Sequence, residues 1–138
     1  MSDEVRKYFT IDELTASATA RKDGIDNTPP AEARKALVEL VEAVLDPLRE
    51  AWGKPIRVNS GYRSAKLNRK VGGATTSQHL RGEAADITTG TRSGNLSLYA
   101  LLRQLQLEVD QAINEHNGQW LHVSHTSRRP NRHQYFSQ

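Results

Sequence analysis

Residues 37–52 constrain the fold more than any other stretch. Leu37, Leu40, Val41, Val44, Leu45, Leu48 and Trp52 recur at steps of three and four. That spacing lays a single apolar stripe along a helix, and such a stripe has to be buried against other elements. Pro47 falls inside the stripe, and a proline there lacks the amide that would bond back one turn. The pattern therefore predicts a long helix over 31–52, kinked or broken near Asp46 and ended by Gly53. With 138 residues the chain has room for one such core, so the expectation is a single domain spanning 1–138.

Shorter signals surround this helix. Thr10-Ile11-Asp12-Glu13 is a capping box, so a short helix is predicted over 11–17. Residues 19–30 are expected to be loop, with Thr28 capping the next helix and Pro29 in its first turn. After Gly53 the pattern changes to short apolar runs between turn residues. Strands are predicted over 54–58, 84–88, 109–113 and 120–124, and helices over 64–70 and 96–106. Helices first, then mixed short strands and helices, define an α+β domain, with N-terminal helices on a small, mostly antiparallel sheet.

Composition removes several function classes. The absence of Cys excludes disulfides, thiolate catalysis and cysteine zinc fingers, so any metal site must use His, Asp or Glu. No apolar run approaches the ~18 residues of a membrane span, and the opening residues lack the apolar stretch of a secretory signal. The net charge is +3, and no acidic residue follows Glu115, whereas Arg128, Arg129 and Arg132 do. The segment 126–138 reads as a basic tail, either mobile or directed at an anionic polymer. Nucleic acid is a weak candidate for that polymer, because the basic residues lack the aromatic interleaving of a single-strand groove. A monomer is expected, since no long apolar stripe is left over.

The densest cluster of polar and small residues is Ser77-Gln78-His79-Leu80-Arg81-Gly82-Glu83-Ala84-Ala85-Asp86. A histidine and an aspartate seven residues apart, joined by a glycine turn, can converge on one point. Two ligands do not complete a zinc site, and a third is sought in Trp120-Leu121-His122-Val123-Ser124-His125. Strand alternation puts Leu121 and Val123 on the core face and His122 on the other. His122 is thus the better ligand, with His125 in reserve.

The string Ser77-x-His79-x-x-Gly82-x-Ala84-x-Asp86 resembles the signature of the zinc D-alanyl-D-alanine carboxypeptidase family, which includes vancomycin-resistance D,D-dipeptidases and phage endolysin peptidases. Ser60-Gly61-Tyr62-Arg63-Ser64 resembles that family's substrate-arginine loop, and Trp120 to Ser124 its terminal zinc-histidine strand. The likeness runs from about Tyr8 to Arg132 and is closest to the short phage and bacterial members. It implies zinc on His79, Asp86 and His122, a substrate carboxylate on Arg63, and a peptide hydrogen bond from Ser77. Without the resemblance, Arg63 reads as a solvated charge and Ser77 as a turn cap. The implied activity is hydrolysis of amide bonds in peptidoglycan stem peptides, by a carboxypeptidase or an endopeptidase.

One position departs from the family pattern. Where many members carry a carboxylate three residues before the last zinc histidine, this chain has Gln119, which cannot take a proton. Glu115 is the candidate general base in its place, with Asp110 a weaker one. The rival expectation is a zinc-containing module that grips wall peptide, or serves in a virion, without cutting. The expected setting is synthesis in the cytoplasm and action on the cell wall after release, as in a phage or prophage lysis protein.

Overall fold

The computed structural model describes residues 7–138; the opening residues read above for a secretory signal lie largely outside that range. The apolar stripe is the centre of the core. Helix α3 (Ala31–Leu40) runs through a π-helical turn (Val41–Leu45) into α4 (Asp46–Trp52). The predicted break at Pro47 takes this form: the Asp46 amide reaches back five residues to the Val41 carbonyl, a widened turn that accommodates the bond Pro47 cannot make. Leu37, Leu40, Val41, Val44, Leu45 and Leu48 are all fully buried. Gly53 ends the helix in the left-handed conformation, as expected of a C-terminal glycine.

Before it lie α1 (Ile11–Thr15), closed by the expected capping box, and α2 (Ala18–Asp23). Helix α2 corrects the expected loop. Ser17 accepts from the Ala20 amide and Gly24 closes the other end, but the segment carries no apolar stripe for periodicity to detect. The proposed Thr28 cap is also corrected: α3 begins at Ala31 after Pro30, with no side-chain cap, and the Thr28 amide turns to Asp26 instead.

The sheet has five strands, β1 (Arg57–Ser60), β2 (Ala84–Thr88), β3 (Gln111–Glu115), β4 (Trp120–Ser124) and β5 (Gln134–Ser137), in the order β1-β2-β4-β3-β5. All neighbours are antiparallel except β3 and β5. The architecture is therefore the expected α+β, with a mostly antiparallel sheet. The first and third strands start later than predicted, β1 because Pro55 has no ladder amide to give. Helix α5 (Ala65–Lys70) is capped by Ser64, and α6 (Arg92–Leu105) starts earlier than predicted because Thr91 caps it.

The two sheet faces differ. Ala85 and Ile87 of β2 pair across with Val123 and Leu121 of β4, and Ala112 of β3 joins them. These residues merge with the helical core, and α6 packs on β3 and β4. The opposite face presents Asp86, Trp120, His122, Gln111, Ile113 and Glu115, which line a groove of about 790 Å³.

The stretch 126–138 is built into the fold. It supplies β5, which lies along β3, and its three arginines face buried carboxylates. Arg128 forms a two-pronged pair with Glu83 at 2.8 and 2.9 Å. Arg129 and Arg132 both grip Asp110, so the charges read as a free basic tail are spent within the protein. Truncating the fully buried Leu45 to Ala should cost about 2–5 kcal/mol. A urea melt should show it as a lower midpoint at unchanged slope.

Candidate metal centre

Three elements bring the candidate ligands together. Asp86 on β2 lies directly opposite His122 on β4 in the antiparallel register, so both side chains leave the sheet on the groove face. His79 comes from a 3₁₀ turn (Gln78–Arg81) just before β2. Ser77 caps that turn, its Oγ accepting from the His79 amide at 3.2 Å. Gly82 closes the turn with a left-handed φ of 71°, and a Cβ there would collide with the Ala33 carbonyl oxygen. Only glycine meets both demands.

His79 Nε2 lies 3.3 Å and His122 Nδ1 3.2 Å from the same oxygen, Asp86 Oδ1. One ligand atom from each residue falls within 4.8 Å of the others. The remaining ring nitrogens are engaged: His79 Nδ1 donates to the Gly61 carbonyl at 2.7 Å, and His122 Nε2 meets Gln78 Oε1 at 2.9 Å. A backbone carbonyl only accepts, so His79 Nδ1 carries the proton and Nε2 of the neutral ring is bare. The bare nitrogen then faces a carboxylate oxygen, lone pair against lone pair, and this arrangement calls for a cation between them. Two imidazoles and one carboxylate are donors that suit zinc, and three protein ligands leave room for a fourth. Burial works against the Asp86 charge, but when the His122 and His79 rings are protonated their hydrogen bonds and positive charge more than offset it and hold its carboxyl well below the usual range. It is therefore ionised and able to ligate at any working pH.

Around this centre the predicted residues take distinct places. Arg63 reaches in from the loop after β1. Its Nε donates to Ser60 Oγ and one Nη to Asn68 Oδ1, and the other Nη lies 3.5 Å from Asp86 Oδ2. These contacts fix the guanidinium plane at the groove wall and leave further N–H groups for a ligand. Glu115 ends β3 opposite Trp120. It is therefore a diagonal cross-strand neighbour of His122 on the same face, and it lines the groove. Gln119 sits in the β3–β4 hairpin turn, exposed and away from the groove lining.

Asp110, the weaker candidate for a base, is fully buried. Burial opposes its charge, but hydrogen bonds from Arg132 and Arg129 outweigh that and hold its carboxyl far below the usual range. A carboxylate so committed has no basicity to offer. His125, the reserve ligand, turns away and engages the Glu108 carbonyl through Nδ1 at 2.6 Å. Sequence reasoning missed Gln78, which touches His122, and the partnership of Asp110 with the arginines. Gln78's position between two signature residues was the available signal.

An α+β domain with two histidines and an aspartate converging in a groove has the make-up of a metallohydrolase. The chain belongs to the M15 peptidases: the model of the family described as Peptidase M15 matches residues 7–124. The zinc D-Ala-D-Ala carboxypeptidase of Streptomyces albus G is 40% identical to it over 85 residues, 61% of this chain and 32% of that protein. The chain thus spans about a third of the length of that curated relative. No helix among the described residues is long and apolar enough to cross a membrane.

The ionised state of Asp110 gives a signed prediction. A carboxyl depressed in the folded state contributes stability that is complete above its unfolded pKa of about 3.9 and fades as pH falls through the lower folded value. Melting midpoints of the wild type should therefore drop from about pH 5 downward. The Asp110→Asn protein should be less stable at neutral pH and decline less steeply over the same interval.

Proposed function

We propose that this protein is a zinc-dependent peptidase that hydrolyses an amide bond of peptidoglycan stem peptides, with the metal on His79, Asp86 and His122. The observation that carries the reading is the convergence of three lone-pair donors beside Arg63 in one groove. A zinc ion there would supply Lewis acidity, acidifying water and polarising the scissile carbonyl.

The chain's own residues do the rest. Arg63, its plane fixed by Ser60 and Asn68, offers a planar fork to a peptide carboxylate. That contact sets which amide lies over the metal ligands. Ser77 Oγ only accepts within the turn, so its O–H group is free to donate a hydrogen bond to the peptide. Glu115 takes a proton from the attacking water as the new C–O bond forms and delivers it to the departing nitrogen as the C–N bond breaks. Trp120, with the His116 ring against it at 4.8 Å, forms an aromatic wall beside this path. The zinc D-Ala-D-Ala carboxypeptidase of Streptomyces albus G, as a relative, supports D-alanine as a substrate residue.

Purified protein should hold about one zinc per chain, and chelation should stop the release of amino groups from peptidoglycan. His79→Ala should lose both metal and activity; digestion by that variant at the wild-type rate would overturn the proposal. Glu115→Gln should bind zinc normally yet slow hydrolysis by about 10²–10⁴-fold. Arg63→Lys should lower kcat/KM about tenfold or more, the worth of one charge-assisted hydrogen bond. Mass spectrometry of digested stem peptides separates the two forms of the activity. Loss of a single terminal residue marks a carboxypeptidase, and separation of cross-linked stems an endopeptidase. A protein that binds zinc and wall peptide but releases no amino groups is the non-catalytic module.

A further inference from the structure

We infer that Gln78 is a positioning residue for the metal: held by Asp110, it fixes the tautomer of His122 so that Nδ1 presents a bare lone pair to the ion. This rests on the reading of His79, Asp86 and His122 as a metal centre.

The inference follows from what each group can donate. The Asp110 carboxylate accepts six hydrogen bonds: from Arg129 at 2.7 and 3.1 Å, from the Arg132 side chain at 3.0 and 2.8 Å, from the Arg132 amide at 3.0 Å and from Gln78 Nε2 at 3.0 Å. An ionised carboxylate has no proton to give, so the carboxamide must turn its NH₂ toward Asp110. Its oxygen then necessarily faces His122, and Oε1 lies 2.9 Å from Nε2. An amide oxygen cannot donate either. Nε2 must therefore carry the ring proton, and in the neutral ring Nδ1 is bare, 3.2 Å from Asp86 Oδ1. Each orientation forces the next, and the first is set by two arginines whose side chains are 38% and 43% exposed while Asp110 is wholly buried. An acceptor on Nε2 both selects the ring orientation and raises the ligand's basicity.

Gln78 thus serves His122 as the Gly61 carbonyl serves His79. The difference is that Gln78 is a side chain whose own direction depends on a third partner, reached through residues 129–132.

Nitrogen-15 NMR of the metal-free protein, at a pH alkaline enough to leave the ring neutral, reads the tautomer directly. The wild type should show His122 as the Nε2–H form. Gln78→Met preserves bulk without an acceptor. It should give mixed tautomers and weaken zinc about 10–100-fold in a chelator competition, with the metal-free melting midpoint little changed. A wild-type His122 with its proton on Nδ1 would overturn the inference without any variant. So would a Gln78→Met protein with unchanged tautomer and zinc affinity. A wild type that binds no zinc would instead sink the metal centre itself, while the tautomer measurement would still stand.

Discussion

The pairing of Asp86 with His122 across β2 and β4 is the constraint on which the rest depends. Register in an antiparallel pair has period two, so a slip of one residue would send His122 into the core and Leu121 into the groove. The register is held by what lies on the other face. Ala85 against Val123 and Ile87 against Leu121 are fully buried under the helices. The core that Leu37 to Leu48 complete therefore selects which side chains face the groove. Packing and chemistry here are two faces of one ladder.

Around that ladder the protein fixes orientations by groups that can only accept. The Gly61 carbonyl settles His79, and the Asp110 carboxylate settles Gln78. Asp110 also ties the chain after β4 to the site, because the arginines that keep it charged come from residues 129–132. Arg128 does the same on Glu83, at the start of β2. A surface ion pair contributes little. These pairs differ because one partner is buried, and stripping the arginines would leave a carboxylate without compensation.

How far the fold was readable from sequence depends on where the information lies. The apolar stripe, the capping box and the strands at 84–88 and 120–124 are local patterns, and each appears in place. The convergence of positions 79, 86 and 122 came from spaced motifs rather than spacing alone, since His125 was equally near in sequence. Helix α2 escaped because its caps, Ser17 and Gly24, enclose no periodic apolar residues. Strand β5 escaped because its pairing with β3 is parallel and lies at the far end of the sheet, without a turn signal. The arginine tail was misread for a simpler reason: charge counts do not reveal which carboxylate a cation meets.

The contact between α1 and the loop after β1 gives the opening helix an influence beyond its size. The Leu14 carbonyl accepts from the Tyr62 amide at 2.7 Å, and its backbone fills the space where a Gly61 side chain would go. Gly61 in turn holds His79. Fraying of α1 would remove the backing of His79 while the stripe and sheet stayed intact. Subglobal opening of this kind needs less free energy than full unfolding. On warming, the convergence of His79 with Asp86 and His122 would then loosen first, and the layer of apolar side chains behind it only later.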